Sequence, residues 1–416
     1  MPEFIDLLPP REALDKLIGN LDSQPVVEEI ETRKALRRVI LRDILAPHSL
    51  PTFSRSTVDG YAVQAADTHG ASDSMPAYLD LVGEITMGQE ANFPLSSNQC
   101  GLIHTGGMLP ANADAVIMLE NTQIATAGEI EILRSVAVGE NVIKVGEDIQ
   151  QGQVVIESGN FLGAADIGGL LALGITQVPV SRKPVVGIIS SGDEVIPPES
   201  ELSIGQVRDI NSYSLAALIE QAGAVPRNYG IIPDSEEPLK DAAGKALHDC
   251  DLVVITAGSS ASNRDLTAQV IDSLGAPGVI VHGVNVRPGR PTILAACEPG
   301  SAERAKPVVG LPGNPVSALV IAMLFVEPLI DLLAGLKRDR IYPFVRALLT
   351  INLSSSAGRE DWIPVRLTQT GETYSAEPIF GKSNLIFTLS RADGLLKIPS
   401  HATGINAGEE VRVRLL

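Results

Sequence analysis

The segment 183–332 constrains the fold of this chain more than any other part of its sequence. Apolar, β-branched runs alternate there with helical patterns of about ten to fifteen residues, which is typical of parallel βαβ units. The segment 183–335 is therefore predicted to form a central three-layer α/β domain with a mostly parallel sheet. The expected strands are 185–189, 227–232, 252–256, 279–286 and 307–311, and the expected helices are 212–221, 236–247, 266–273 and 316–333.

Residues at the ends of these helices match common capping patterns. Asn211 is predicted to be the N-cap of the first helix. Gly223 lies just past the C-terminal end of that helix, where a left-handed backbone conformation is common. Asp234 or Ser235 is predicted to cap the second helix.

The remaining chain is predicted to form three further domains, which makes the fold multi-domain, α/β plus β. Residues 11–47 carry apolar side chains at helical spacing. Residues 53–144 instead contain short apolar runs separated by Gly, Asn and Asp turns, and residues 410–414 alternate as a strand does. The predicted domains are a discontinuous, mainly helical domain at 1–48 and 147–182, a β-rich inserted domain at 49–146 and a small C-terminal β domain at 336–416.

Charge and cysteine content exclude several classes of function. The 416-residue chain has 32 Lys and Arg against 50 Asp and Glu, a net charge of -18, which opposes binding to nucleic acid and to anionic membranes. Its three cysteines, Cys100, Cys250 and Cys297, are widely spaced and indicate neither a disulfide framework nor a thiolate metal site. The N-terminus lacks the regions of a signal peptide, and the longest apolar run, 318–326, is too short to span a bilayer. We therefore expect a cytoplasmic protein with no nucleic-acid partner and no membrane partner.

The turn 310–317 connects the last predicted strand to the last predicted helix and suits an anion. Gly313 lets the backbone approach a ligand closely, Asn314 can cap the helix, and Pro315 can occupy its first position. The free N–H groups and the dipole of the helix, which continues through Ser317, favour a phosphate at this turn. A capped turn without a ligand has the same pattern, so both interpretations stay open at this point.

Two further strand ends carry polar side chains at the same predicted edge of the sheet. The loop after the third predicted strand contains Ser259, Ser260, Arg264 and Asp265, and Glu194 lies in the loop after the first. Ligands of open α/β sheets bind outside the carboxyl ends of the strands. Each loop alone is also consistent with a surface connector, but together the loops predict a binding site.

Arg287 and Arg290 lie on a stiff turn, Arg287-Pro288-Gly289-Arg290-Pro291, after the fourth predicted strand. Two planar guanidinium groups suit bidentate contact with a phosphate or another oxyanion. Surface ion pairing is the alternative. In a chain of net charge -18, two arginines that flank a glycine and are each followed by a proline favour the ligand site.

Two acidic turns lie outside the α/β segment, at Asp59 and at Asp148. Asp59 precedes Gly60, a pair typical of hairpin turns, and Asp148 follows Glu147. A structural role is favoured for both turns when they are considered alone.

Five motifs follow one another in a specific order along the chain: Asp59-Gly60-Tyr61-Ala62, His104-Thr105-Gly106-Gly107, Gly146-Glu147-Asp148, Ser191-Gly192-Asp193-Glu194 and Leu311-Pro312-Gly313-Asn314-Pro315-Val316-Ser317-Ala318. In this order they resemble the motifs of the MoeA family, the molybdopterin molybdenumtransferases, which include the gephyrin E domain. The resemblance runs through nearly the whole chain, and the ordered set is far more specific than any one member.

The resemblance implies a reaction and its partners. The reaction is the insertion of molybdate into adenylylated molybdopterin, which gives molybdenum cofactor and releases AMP, with a divalent cation such as Mg²⁺. A homodimer is implied, with each site formed between the α/β domain of one subunit and the β-rich domain of its partner. A molybdopterin adenylyltransferase is the implied donor of the substrate.

The resemblance also implies roles for residues at the matching positions. The implied ligands of the cation are Asp234, Asp265 and Glu194. The implied catalytic residues are Asp59, Thr105, Asp148, Glu194, Asp234 and Asp265. The implied substrate-binding residues are Ser259, Ser260, Arg264, Arg287, Arg290, Gly313, Asn314, Pro315, Ser317 and Ser383.

The sequence departs from the family pattern at three places. The loop 258–262 replaces a common Gly-Gly-Val-Ser, Arg287 and Arg290 replace two lysines, and a lysine usual near His282 is missing. A planar guanidinium is not equivalent to a compact ammonium group, so the choice between molybdate and tungstate stays open. A molybdopterin adenylyltransferase, or a non-catalytic scaffold that has kept the fold, is the alternative function.

Overall fold

A computed structural model describes residues 7–257, 261–300 and 304–416, without the side chains of 261–264. The chain divides into two compact units. Unit 1 consists of Met1–Arg42, Ser158–Gly163 and Gln177–Leu416, and unit 2 consists of Asp43–Glu157 and Ala164–Thr176. The predicted inserted segment 49–146 lies entirely within unit 2. The four predicted domain boundaries themselves stay predictions.

The centre of unit 1 is a six-stranded sheet. Its strands are β1 (Val185–Ser191), β2 (Val225–Ile232), β3 (Leu252–Ala257), β4 (Pro277–His282), β5 (Ile293–Cys297) and β6 (Lys306–Pro312). The order across the sheet is β2-β1-β3-β6-β5-β4. Neighbours from β2 to β6 are parallel, and only β5 runs in the opposite direction. The predicted mostly parallel sheet is confirmed, and five strands have their carboxyl ends at one edge.

Helices cover both faces of this sheet. They are α1 (Asn211–Ala222), α2 (Glu236–Asp249), α3 (Ala261–Asp272) and α4 (Pro315–Leu333). Leu252 and Val254 pack into the core beneath α1 and α4, whereas Val253 and Ile255 pack into the core beneath α2 and α3. Because successive strand residues point to opposite faces, this alternation confirms the predicted three-layer arrangement.

Helix α4 contains a π-helical turn at Ala322–Val326. The turn ends two residues before Pro328, which has no N–H to complete the helical hydrogen-bond pattern. By length and composition α4 could cross a membrane, unlike the shorter run 318–326 considered above, but 67% of its apolar window is buried inside the protein. It is a core helix of the α/β layers.

The C-terminal part of unit 1 forms a closed β-barrel. Strand Glu360–Thr370 pairs with Thr373–Pro378 on one side and with Gly394–Ile398 on the other, which closes the ring. The remaining strands of the ring are Phe344–Leu349 and Glu410–Leu415, with a short pair Leu353–Ser354 and Gly404–Ile405 and a helix Ile386–Ser390 beside it. The predicted C-terminal β structure is confirmed.

Unit 2 is β-rich, as predicted for 49–146. Its six-stranded sheet has the order Ala115–Met118, Gly60–Val63, Gln99–Ile103, Ala77–Ile85, Glu129–Ile132 and Thr122–Thr126. Two small sheets pair Ile44–Leu45 with Val154–Ile156 and Arg55–Ser56 with Val142–Ile143, and one helix spans Ala164–Ala172.

The mainly helical character predicted for 1–48 and 147–182 is wrong. Among the described residues of these segments, the α-helices are Pro10–Ile18 and Ala164–Ala172. Val27–Glu31 is instead a strand that pairs antiparallel with Gln177–Ser181. Leu36 is 55% exposed, so the apolar spacing read as a helix does not define one buried face. Pairing between residues about 150 positions apart overrides the local pattern.

Two details of the predicted sheet also need correction. The single strand predicted at 279–286 ends at His282, because Gly283 takes a left-handed conformation with φ 98°. Val286–Arg287 pairs instead with barrel strand Glu360–Thr370. Strand β5 is not predicted from the sequence, although all five of its residues are buried. A short apolar run of this kind does not reveal its own direction or partner.

Candidate active site

The carboxyl ends of β1 and β2 bring three polar residues together. The Ser191 hydroxyl donates a hydrogen bond to Asp234 Oδ1, and the Asp234 backbone N–H donates to Asp193 Oδ1 at 3.1 Å. Both loops are therefore tied to each other at the edge where ligands of such sheets bind. Ser235, and not Asp234, occupies the N-cap position of α2, without a side-chain capping bond.

A buried hydroxyl cluster lies at the ends of β1 and β3. Ser190 Oγ is 3.1 Å from Ser212 Oγ and 3.2 Å from Thr256 Oγ1, and all three side chains are buried. Buried hydroxyls stabilise a fold when they bond to one another. This cluster fixes the first turn of α1 against the strand ends.

The turn between β6 and α4 is held by two side chains from elsewhere in unit 1. Asn211 Nδ2 donates to the Gly313 carbonyl at 2.8 Å, and Asn314 Nδ2 donates to Ser383 Oγ at 3.1 Å. The backbone N–H of Val316 donates to the Ser383 carbonyl at 3.0 Å. Asn314 occupies the predicted N-cap position and Pro315 the first helical position, but one N–H of the helix start already has a protein acceptor.

The predicted N-cap role of Asn211 is wrong. Asn211 is the first residue of α1, and Asp209 Oδ1 accepts the Ser212 N–H at 3.1 Å, as a capping carboxylate does. Asn211 instead reaches Gly313, and its buried Oδ1 has no hydrogen-bond partner among the residues that the structure describes. The predicted left-handed residue after α1, Gly223, is confirmed with φ 98°.

A cavity of about 960 Å³ opens beside this turn, within unit 1. We call it the basic cavity. Its wall includes five of the predicted substrate-binding residues, Arg287, Arg290, Asn314, Ser317 and Ser383. Lys382 and Arg359 add two further cationic side chains, although Arg359 is paired with the buried Asp361 at 2.7 Å. Among the described residues, no carboxylate lies within ion-pair distance of Arg287 or Arg290.

The loop that carries these two arginines is fixed at both ends. Arg287 continues a strand paired with the barrel strand Glu360–Thr370. Gly289 has φ 114°, and a Cβ at this position would lie 2.3 Å from Ile321 Cγ1 on α4. The Thr292 hydroxyl donates to the Gly289 carbonyl at 2.6 Å. Only glycine therefore allows this loop to pack on α4.

Unit 2 brings Asp59 and Thr105 together. Asp59 Oδ1 accepts the Thr105 backbone N–H at 2.8 Å and the Thr105 hydroxyl at 3.2 Å. His104 Nδ1 lies 3.8 Å from the same oxygen, and His104 Nε2 lies 2.9 Å from Glu84 Oε1. We call these four residues the acidic cluster. The backbone N–H of Thr105, followed by its hydroxyl and the His104 charge, holds the pKa of Asp59 below its ordinary value.

The position of Asp59 is fixed by the residue that follows it. Gly60 begins a strand between Gln99–Ile103 and Ala115–Met118. A Cβ on Gly60 would lie 1.9 Å from the Ile117 carbonyl oxygen. The Asp-Gly pair thus marks the start of a crowded central strand, not the hairpin turn that its sequence suggests.

The remaining predicted site residues are not gathered by the described structure. Asp148 is on an exposed turn of unit 2, where its backbone N–H donates to Leu50. Glu194 and Asp265 are exposed at the loop after β1 and in the first turns of α3. Ser259, Ser260 and the side chain of Arg264 lie outside the described residues. The roles predicted for these residues stay predictions.

The three predicted cation ligands do not form a metal site by themselves. In the described part of the chain, no three His, Cys, Asp or Glu side chains form a group that could hold a metal ion. Asp234 already accepts the Ser191 hydroxyl. Magnesium is commonly held by one or two carboxylates together with substrate phosphates, so the carboxylates fit a cation that arrives with its substrate but not a resident three-carboxylate site.

Three functional candidates are missed by the sequence patterns: Asn211, Lys382 and Arg359. Lys382 precedes Ser383, which was a predicted residue, so its neighbourhood could have indicated it. Asn211 contacts Gly313 from 102 residues away, and Arg359 comes from a different domain. Only the folded chain brings them to the site.

The sheet edge, the basic cavity and the barrel define a multi-domain α/β protein with a cationic cavity suited to an anionic ligand. Three family models match successive parts of this chain. They are "MoeA N-terminal region (domain I and II)" over residues 8–174, "Probable molybdopterin binding domain" over 187–332 and "MoeA C-terminal region (domain IV)" over 346–416.

Relatives match over nearly their full lengths. The molybdopterin molybdenumtransferase of Nostoc sp. is 33% identical over 400 residues, which cover 95% of this chain and 90% of the relative. The molybdopterin molybdenumtransferase of Haemophilus influenzae is 30% identical, with 97% of each chain covered. A crystal structure of a molybdopterin biosynthesis MoeA protein from Pyrococcus horikoshii matches with a TM-score of 0.85 and 32% identity, covering 99% of this chain and 100% of that chain.

The chain belongs to the MoeA family. The family predicted from the five motifs is confirmed, and so is the class of function, a transferase of molybdenum cofactor biosynthesis.

Proposed function

We propose that this enzyme inserts molybdate into adenylylated molybdopterin and releases AMP. The observation that carries the proposal is the basic cavity. Arg287 and Arg290 line its volume of about 960 Å³, and neither forms an ion pair with a carboxylate among the described residues. In a chain of net charge -18, such a site attracts an oxyanion that the rest of the surface repels.

The cavity wall supplies suitable donors for this substrate. Guanidinium groups form planar, bidentate hydrogen bonds to oxyanions and phosphates. Ser317 and Ser383 add hydroxyl donors to the lining of the cavity, and the Gly313 turn brings the start of α4 to the same place. These groups would bind molybdate and the phosphates of the adenylylated substrate and stabilise the charge that develops as AMP leaves.

A divalent cation such as Mg²⁺ is part of the proposal. When bound with substrate, it would neutralise phosphate oxygens as a Lewis acid. Asp234 is the carboxylate most suited to hold it, because its backbone is tied to Asp193 and its side chain to Ser191. Glu194 and Asp265, on neighbouring loops, are the other candidates.

We further infer a cytoplasmic homodimer in which the two copies share each site. One copy would supply the basic cavity and Asp234, and its partner would supply Asp59, Thr105 and Asp148. The family resemblance supports this arrangement, as does the presence of Asp59 and Thr105 in a unit different from that of Arg287. A molybdopterin adenylyltransferase would supply the substrate.

An assay of AMP release tests the proposal. Purified protein with Mg²⁺ and adenylylated molybdopterin is expected to release AMP only when molybdate is added, and the product should activate an apo-molybdoenzyme. AMP release that does not depend on an oxyanion would contradict the proposal. The same assay with tungstate decides which oxyanion the arginines favour.

The alternative function, adenylylation of molybdopterin with ATP, is disfavoured by the matched N-terminal and C-terminal regions. A protein with that function alone would need only the α/β domain. Formation of adenylylated product from ATP and molybdopterin would reverse this conclusion.

A further inference from the structure

His104 lies between two carboxylates at one end of the unit 2 sheet. Strand Gln99–Ile103, which it follows, runs between Gly60–Val63 and Ala77–Ile85. The register pairs Ile103 with Gly60 on one side and with Ile85 on the other. The antiparallel register with Gly60–Val63 therefore places His104 opposite Asp59. On the other side the strands are parallel and Glu84 pairs with Leu102, so it is the His104 side chain that reaches Glu84.

The contacts of the imidazole favour one of its two neutral tautomers. Glu84 Oε1 lies 2.9 Å from His104 Nε2, so a carboxylate acceptor keeps the proton on Nε2 in the neutral ring. Nδ1 is then unprotonated and lies 3.8 Å from Asp59 Oδ1, where two acceptors face each other. When the ring gains a second proton, Nδ1 becomes a donor and the contact becomes an ion pair.

We propose that His104 is a positioning residue whose protonation favours binding of the anionic substrate. The proposal rests on the proposed function, in which Asp59 faces that substrate. The charged groups that face His104 among the described residues are Asp59, before strand Gly60–Val63, and Glu84, on strand Ala77–Ile85. With a neutral ring, two carboxylates stand where a dianion must approach. With a charged ring, Asp59 stays ionised and oriented while one negative charge of the acidic cluster is cancelled.

The expected size of the effect follows from the distance and the exposure. One unit charge a few ångströms from a dianion changes the binding of that dianion appreciably, but solvent weakens the effect because these side chains are about half exposed. We expect the apparent KM for molybdate, measured between pH 6 and pH 8, to be about three- to tenfold higher with a neutral ring than with a charged ring. Molybdate remains a dianion across this range, so the substrate does not titrate.

Three variants of the full-length dimer test this inference by the pH dependence of the molybdate KM. His104→Gln is expected to have the high KM of the neutral ring at every pH. His104→Lys carries a permanent charge and is expected to keep a low KM from pH 6 to pH 8. His69→Gln is the matched control, because His69 is an exposed histidine elsewhere in unit 2, and it is expected to keep the wild-type pH dependence.

The outcome separates this inference from the proposed function. Wild-type protein that releases no AMP with molybdate would contradict the proposed function itself. Active wild-type protein whose pH dependence of KM persists unchanged in His104→Gln would overturn the role of His104 alone. A purely structural role would lower stability in both His104 variants without separating their pH profiles.

Discussion

In the basic cavity, Arg287 and Arg290 have no carboxylate partner among the described residues, whereas in the acidic cluster the Asp59 oxygen already has two donors from Thr105. Unpaired donors are ready to bind an incoming anion. The carboxylate of Asp59 is already oriented by its hydrogen bonds to Thr105, so it can act only in that fixed orientation. We therefore expect the cavity arginines to act mainly on substrate affinity and Asp59 to act mainly on the rate of the chemical step, with His104 adding a smaller effect on affinity.

The largest effect is expected from Asp59→Asn. The substitution keeps the shape of the side chain but removes the charge, so kcat should fall by about 10²- to 10³-fold with a smaller change in KM. Steady-state AMP release measures both constants, and size-exclusion chromatography checks that the variant keeps the wild-type oligomeric state. Asp73→Asn, at an exposed position of the same unit, is the control. A rise in KM of the same size, with no fall in kcat, would instead assign Asp59 to substrate binding.

The next effect is expected from Arg290→Ala. Loss of hydrogen bonds to a charged ligand costs about 1.5–3 kcal/mol, which corresponds to roughly a ten- to hundredfold increase in the molybdate KM. The value of kcat should change much less. The molybdate KM of Arg290→Lys should lie between those of the wild type and Arg290→Ala, because an ammonium group keeps the charge but lacks the planar guanidinium geometry. Arg366→Ala, an exposed arginine outside the cavity wall, should have no effect.

A smaller effect, on stability, is expected from Gly289→Ala. The added Cβ meets Ile321 on α4 at 2.3 Å and forces a non-glycine residue to φ 114°, so unfolding free energy should drop by about 1–3 kcal/mol. Denaturant titration measures this. Gly371→Ala provides the comparison, since φ is 64° there but nothing lies within 4 Å of the new atom. Equal losses in the two variants would mean that packing on α4 does not fix the arginine loop.

The smallest effect is expected from Thr105→Ala. Because the pKa of Asp59 is lowered in the folded protein, its ionised carboxylate stabilises the fold at higher pH. This stabilisation is lost as the pH falls through the pKa of the folded state. Thr105→Ala removes the hydroxyl but keeps the backbone N–H, which is the larger cause, so the Asp59 titration should move only slightly to higher pH. Carbon-13 NMR of the Asp59 carboxyl group can detect this. A shift in the opposite direction would contradict the contact.

The elements of unit 1 differ in how well the sequence predicts them. The α/β strands β1, β2, β3 and β6 are predicted within two residues of their ends, because the next helix along the chain from each of them has a recognisable pattern. The strand Val27–Glu31 is missed because its partner lies about 150 residues away. Local periodicity carries no information about such pairing.

The same limit applies to the candidate site. Arg287 and Arg290 are predicted from their own loop, and the structure gathers them with Ser383 from another domain. The bond from Asn211 to Gly313 and the contacts of His104 with Asp59 and Glu84 depend on sheet register and could not be predicted. Short motifs identify the loops, but the fold decides which side chains meet.

Mixed dimers of Asp59→Asn and Arg290→Ala test directly whether each site combines residues from two subunits. They can be isolated by two different affinity tags after coexpression. If each site combines Asp59 of one copy with Arg290 of the other, one of the two sites in a mixed dimer keeps both side chains. Such dimers are expected to release AMP at about half the wild-type rate at subsaturating molybdate, where each parent dimer is nearly inactive. A mixed dimer no more active than its parents would mean that both residues act within one subunit, and would contradict the shared site.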